Sequence, residues 1–324
     1  MTDRVTLALI AVFGVPLLLI AYITASEWLL GLLRIRRHDA IRPWLWLGPA
    51  LALLALFLVY PALNTAYISL LNAGSQHFVG LANYRFVFTD ATMLLALRNN
   101  AIWLVLFTAL VVVFGLATAV LTDRVRYGSL AQALILLPMA VSFVAAGVIW
   151  RFMYDFRPAG AAQTGAVNAV LTALLPGFTP QAWLINQPGN TVALILAAVW
   201  SWTGFAMVVL YAGLKSIPHE VLEAARVDGA GEWRILARVI VPLLRSTILV
   251  VATVMIVTAL KAFDIVYVMT NGNYGTEVIA NRMYKEMFSV QDFGRASSIA
   301  VILLLAIIPV MLFNLGRFRS QGSN

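Results

Sequence analysis

Cysteine is absent from the 324 residues, so the chain forms no disulfide, holds no thiolate-bound metal and has no cysteine nucleophile. Charge is scarce too: Asp, Glu, Lys and Arg make up 11% of the chain, against about 25% in an ordinary soluble domain. The three histidines, His38, His77 and His219, are too scattered to suggest a metal site. No G-x-x-x-x-G-K-[ST] phosphate loop occurs, and the nearest stretch, Gly213-Leu214-Lys215-Ser216, lacks the glycine just before lysine. Spacing reveals no Ser/His/Asp grouping or carboxylate pair. These absences leave no enzyme chemistry and no cofactor to assign to the chain.

Apolar side chains fill the space. They account for 62% of residues, and mean hydropathy is +0.90. Too few polar residues remain to cover a water-facing surface, which predicts an all-α integral membrane protein in contact with lipid. Apolar runs at 5–30, 44–72, 99–122, 131–150, 191–214, 246–270 and 296–316 give seven expected spans. They are continuous rather than alternating, which excludes a closed β-barrel. The first run is expected to be retained: Asp3 offsets Arg4 ahead of it, and no clean small-residue cleavage site follows.

The net charge of +8 reflects where the cations sit rather than nucleic-acid binding. Thirteen of the 22 Lys and Arg lie in the short connections 34–43, 123–130, 215–245 and 317–324. Eight lie in the longer set 1–4, 73–98, 151–190 and 271–295, and Lys261 lies within a span. The denser set belongs in the cytoplasm, which puts the N-terminus outside and the C-terminus inside. Segment 151–190 is turn-rich, with a short amphipathic piece expected near Val167–Leu175.

The most informative connection is 215–242. Pro218 marks a helix start, with Ser216 as the expected N-cap, and Val221, Leu222 and Ala225 recur at helical spacing. Asp228-Gly229 is a turn pair, and a second helix carrying Trp233, Leu236 and Ile240 leads to Pro242. Small residues at 224, 225 and 229–231 permit close approach by another backbone. Physics alone leaves two readings of this elbow, a docking surface for a cytoplasmic partner or a solvated interfacial loop.

Glu223-Ala224-Ala225-x-x-x-Gly229, followed after nine residues by Val239-Ile240-Val241-Pro242, resembles the EAA loop of ATP-binding-cassette importer permeases. Val239 and Val241 depart conservatively from the Ile-x-Leu-Pro that the family prefers. Gly213-Leu-Lys-Ser-Ile-Pro218, Leu47-Gly-Pro49 to Tyr60-Pro61, Phe78-Val-Gly-Leu-Ala-Asn-Tyr84, Leu137-Pro138 and Met269-Thr-Asn-Gly272 are similar to the carbohydrate branch. Lys261-Ala-Phe-Asp264 through Gly272 and Val278-Ile-Ala-Asn281 look most like α-glucoside permeases. The resemblance spans about residues 44–316. It implies a six-helix importer core over 44–316, an extra N-terminal transmembrane helix and basic loop over 1–43, and a cytoplasmic tail over 317–324.

The resemblance also implies partners: a second permease subunit, two ATPase subunits that bind ATP and Mg, and an extracytoplasmic sugar-binding protein. Glu223, Ala224, Ala225, Asp228 and Gly229 would couple to the ATPase. Met139, Phe143, Ser201, Trp202 and Phe205 match positions that line the sugar path of maltose-type permeases. Aromatic rings beside hydroxyls suit sugar faces, although a packing cluster would present the same residues. Lys261 and Asp264, three apart on one helix face, either neutralise each other or line the path. The expected substrate is an α-glucoside, with glycerol phosphate disfavoured for want of a cation cluster. The competing class, an autonomous ion-driven carrier, commonly has discontinuous helices or paired repeats, and neither is evident in the sequence.

Overall fold

The computed structural model describes residues 13–32 and 38–321, so part of the first expected span and Arg4, Arg34, Arg36 and Arg37 lie outside the described residues. The chain divides into two compact units, 1–65 and 66–324. In the first unit, α1 (Val15–Leu32) is mostly apolar, with Glu27 as its one charged residue, and the Tyr22 hydroxyl donates to the Leu45 carbonyl at 2.8 Å. Arg42 pairs with Glu27 at 2.7 Å. Helix α2 (Arg42–Ile68) is long enough to cross a bilayer and buries none of its central apolar window within the chain.

The second unit is an all-helical bundle, with one isolated bridge, Leu71 to Phe78, among the described residues. A short helix α3 (Ala82–Thr89) precedes α4 (Ala91–Asp123), whose start is capped by the Asp90 carboxylate accepting from the Thr92 and Met93 N–H groups. Then come α5 (Gly128–Ala140), α6 (Phe143–Met153) and α7 (Ala166–Leu174), the last matching the amphipathic piece expected near 167–175. Helix α8 (Gly189–Lys215) runs through the centre, with 56% of its apolar window buried. Beyond it lie α9 (His219–Val227), α10 (Glu232–Leu243), α11 (Arg245–Leu260), α12 (Asp264–Met269), α13 (Ile279–Lys285) and α14 (Phe293–Gln321).

Helix α8 packs along α4, with α5, α6 and α11 around it. Gly204 permits that closeness on the α5 side, because a Cβ there would stand 2.6 Å from the Ile135 carbonyl oxygen. Buried Phe107, Met207, Leu210 and Met255 knit α4, α8 and α11 into the main core. Without a hydrophobic drive between helices in lipid, such close small-residue packing carries the association.

Two expected spans are not continuous. The fourth is a bent pair, α5 and α6, turning by 102° across 141–142. Pro138 sits in a tight 3₁₀ turn over Leu137–Ala140, Val141 is extended, and Ser142 caps α6 by accepting from the Ala145 N–H at 3.2 Å. The sixth breaks between α11 and α12, and α11 is itself bent by 75° from α10. Among the described residues, four helices can cross a membrane by length and composition, or six if each bent pair counts as one span. The expectation of no discontinuous helices is therefore wrong. The sequence window saw continuous apolarity, and a break hidden inside such a run leaves hydropathy unchanged.

Candidate functional site

The break after α11 leaves backbone carbonyls without helical partners. Asn100, buried on α4, meets this need: its Nδ2 donates to the Ala259 and Leu260 carbonyls at 3.3 and 3.4 Å. Its Oδ1 accepts from the Ile279 N–H at 2.8 Å. Neighbouring Asn99 donates to the Gly275 and Glu277 carbonyls, both at 2.8 Å. This amide pair ties the break and the loop above it to α4. The sequence carried the signal as two adjacent amides opening an apolar run, but nothing local named their partners.

Lys261 ends α11, and its backbone N–H bonds to the Val257 and Thr258 carbonyls. Phe263 is non-helical, and Asp264 begins α12. The two charges thus do not share one helix face, which corrects the sequence expectation: the helix stops between them. Each instead complements the partial charge of the helix end it occupies, the cation at a C-terminus and the anion at an N-terminus. Among the described residues, no ion pair joins them.

Both charges line a cavity of about 320 Å³. Trp103 and Phe107 of α4, Phe143 at the start of α6, Trp202 of α8 and Thr258 of α11 form other parts of its wall. Phe143 stacks on Trp202, with ring centroids 5.8 Å apart and planes 18° from parallel. Phe205 does not line the cavity but meets the edge of Trp202 at 5.7 Å. Two helix breaks, at 141–142 and 261–263, flank this space, since Phe143 and Lys261 stand beside them.

Four of the seven expected path residues, Phe143, Trp202, Lys261 and Asp264, thus meet at one cavity. Ser201 does not. It is buried, and its hydroxyl donates to the Ala197 carbonyl of its own helix at 3.3 Å. Met139 is exposed and lies outside the cavity wall. Trp103, Phe107 and Phe263 were missed, because large apolar side chains in a span look the same whether they face a cavity or a core. A larger cavity of about 930 Å³ between α4, α6 and α8 is walled by Trp150, Trp183 and Trp200. Its polar lining is neutral, from Thr118, Tyr154 and Thr203, whereas the smaller cavity also carries the charges of Lys261 and Asp264.

At the C-terminal end of α8 stands the elbow. Ser216 closes α8 rather than capping α9, its hydroxyl donating to the Gly213 carbonyl at 2.6 Å, and Pro218 takes the N-cap position. Helix α9 turns into α10 at Gly229, whose φ is +75°. A Cβ at this glycine would meet nothing within 4 Å, so the backbone angle alone requires glycine. Glu223, Ala224 and Asp228 are exposed, while Ala225 packs on a cluster of Val120, Leu214, Ile217 and Ile235. Glu223 makes no ion pair among the described residues, and Trp233 and Val227 are 79% and 87% exposed.

The motif residues after α12 form a polar knot. Lys285 donates to the Asn271 carbonyl at 2.6 Å and pairs with Glu277 at 2.7 Å, and Asn281 donates to Glu277 at 2.5 Å. This is a structural fastening of the loop above the cavity.

A charged, ring-lined cavity between broken membrane helices, with a helical elbow at the far end of the same central helix, is the build of a membrane transport component. The chain belongs to the family of binding-protein-dependent transport system inner membrane components, whose signature covers residues 112–318. It is 54% identical over 277 residues to the osmoprotective compounds uptake permease protein GgtC of Synechocystis sp., spanning 86% of this chain and 99% of that one. It is 45% identical to the alpha-glucoside transport system permease protein AglF of Rhizobium meliloti, over 87% of this chain and 83% of the relative. A bacterial ABC transporter for import of the acidic polysaccharide alginate shares the fold, with a TM-score of 0.73 at 21% identity, over 88% of this chain and 99% of that chain.

Proposed function

We infer that this chain is one permease subunit of an ATP-driven importer for a neutral sugar of the α-glucoside class. The observation that carries this reading is the meeting of Phe143, Trp202, Lys261 and Asp264 at one cavity. Stacked rings offer an apolar platform to one face of a pyranose. Asp264 can accept from hydroxyls, and Lys261 can donate to ring or glycosidic oxygens. One cation balanced by one anion disfavours a phosphate ester, which calls for several cations. The name of one relative, an alpha-glucoside transport system permease, supports the same class.

In this reading residues 44–316 form the importer core and contribute half of the translocation path, the other half coming from a second permease subunit. The exposed α9 face, with Glu223 free and Gly229 setting the turn, docks on an ATPase subunit. ATP and Mg reside in two such subunits, and an extracytoplasmic binding protein delivers the sugar. The cation-dense connections put the elbow and the C-terminus in the cytoplasm and the N-terminus outside. Discontinuous helices no longer argue against an autonomous carrier, but family membership and the elbow do.

Reconstitution tests this reading. The chain with its partner permease, ATPases and binding protein, in liposomes loaded with ATP, is expected to import labelled sucrose, trehalose or maltose and to stop when ATP is omitted. Uptake by the chain alone, driven by an ion gradient, would overturn it, as would preference for a phosphate ester or a peptide.

A further inference from the structure

The cytoplasmic rim holds a charge network that the coupling motif does not contain. Glu232 opens α10, just past the Gly229 turn. Its Oε2 lies 2.5 Å from Arg124 Nη2 at the end of α4, and its Oε1 lies 3.4 Å from Arg226 Nε in the last turn of α9. Beside it, Lys215 at the end of α8 pairs with Asp123 at 2.5 Å. The network therefore joins both arms of the elbow to the cytoplasmic ends of the two helices whose other portions carry Trp103 and Trp202. Below it lies an apolar cluster that includes Val120 of α4, Leu214 of α8 and Ile235 of α10.

We propose that Glu232 is a positioning residue for coupling: by bridging Arg226 and Arg124 it sets the angle of α9 and delivers motion of the elbow to α4. The inference rests on the importer reading and deepens it. Both oxygens of Glu232 are engaged within the chain, so this carboxylate is not the group offered to the ATPase. Glu220 and Glu223, exposed on α9 without an ion partner among the described residues, fill that role. All three side chains of the bridge are about half exposed, and exposed pairs add little to stability. Losing this one should leave folding and assembly intact while loosening the joint. A cavity wall and an ATPase contact at opposite ends of one helical frame need such a stiff joint if small displacements are to be transmitted.

The test uses the full importer in liposomes and reads sugar imported per ATP hydrolysed, with the α-glucoside that wild type imports fastest among sucrose, trehalose and maltose. E232Q and R124Q should each lower this ratio about threefold while the ATPase co-purifies as in wild type. The double variant should also fall about threefold rather than ninefold, because both changes break the same Glu232–Arg124 link, through which the elbow reaches α4. E232D, which keeps the charge, should recover most of the ratio. A wild-type ratio in E232Q would overturn the proposal, as would a ninefold fall in the double variant. Loss of ATPase co-purification in E232Q would overturn it too, by making Glu232 a docking group. Failure of wild type to import sugar with ATP would instead overturn the importer reading beneath it.

Discussion

The elbow is made from one uninterrupted stretch, 215–242, whereas the cavity takes Trp103, Phe143, Trp202 and Lys261 from separate parts of the chain. In the elbow the backbone path has neighbours as its cause: Pro218 starts a helix, Asp228-Gly229 turns the chain, and Glu232 opens the next helix, with only the Arg124 link reaching across the sequence. In the cavity the causes are remote. The α11 break survives because Asn100 takes up its free carbonyls from another helix. The elbow thus tolerates change wherever local geometry is kept. The cavity depends on side chains brought together from separate helices.

The largest effect that would sharpen this contrast is expected at Gly229. With φ at +75° and open space around the missing Cβ, the constraint is purely conformational. A β-branched residue in the left-handed region costs about 1–2 kcal/mol. Gly229→Val should therefore distort the turn and cut ATP-driven uptake about tenfold or more. Gly229→Asn should keep most of it, since Asn visits this region far more readily. Equal losses in both variants, measured as initial uptake rate in liposomes, would show that bulk rather than backbone angle decides. The elbow would then be packed against a partner at that point.

Legibility in the sequence followed the same division. The span regions from residue 44 onward, the α7 piece and the helix–turn–helix of the elbow were all readable, because hydropathy and turn chemistry are local. The breaks inside the fourth and sixth spans were not, since Pro138 and Ser142 lie in apolar surroundings that read as one helix. The same blindness put Lys261 and Asp264 on a single helix face. Ser201 entered the expected path by alignment with related permeases, yet helix phase turns it toward its own backbone at Ala197. Glu232 escaped notice because its partner Arg124 is 108 positions away. Long-range ion pairs leave no mark on periodicity.

A second, smaller effect separates cavity residues from their buried neighbour. Trp202 supplies the stacked partner of Phe143 and the edge partner of Phe205. Aromatic pairs of this kind contribute about 0.5–1.5 kcal/mol each beyond buried area. Trp202→Ala should lower the maximal uptake rate about fivefold at saturating binding protein, with ATPase assembly unchanged. Ser201→Ala, one residue away, should change it less than twofold. If Ser201→Ala proved the more damaging, the sugar path would run on the other face of α8, and the cavity assigned here would be a packing void.

The smallest effect probes a group that serves neither region. Glu286, just past α13, is fully buried, with Arg282 at 2.6 Å and both Arg282 and Arg295 lying over the Phe86 ring. Burial lifts its carboxyl above the ordinary glutamate range, against the opposing pull of Arg282 and Arg295. The native state then holds this proton more tightly than the unfolded chain does. The stability it contributes is full below the ordinary glutamate range and is lost as pH rises through the raised native value. E286Q cannot titrate, so it provides the baseline. The thermal unfolding midpoint of wild type minus that of E286Q should be largest near pH 4 and shrink toward pH 7. Transport per ATP at neutral pH should change less than for Gly229 or Trp202 variants, because Glu286 touches neither the cavity nor the elbow. A difference that grows with pH would mean that the Arg282 pair outweighs the cost of burial, and that this corner is fastened by charge rather than by packing.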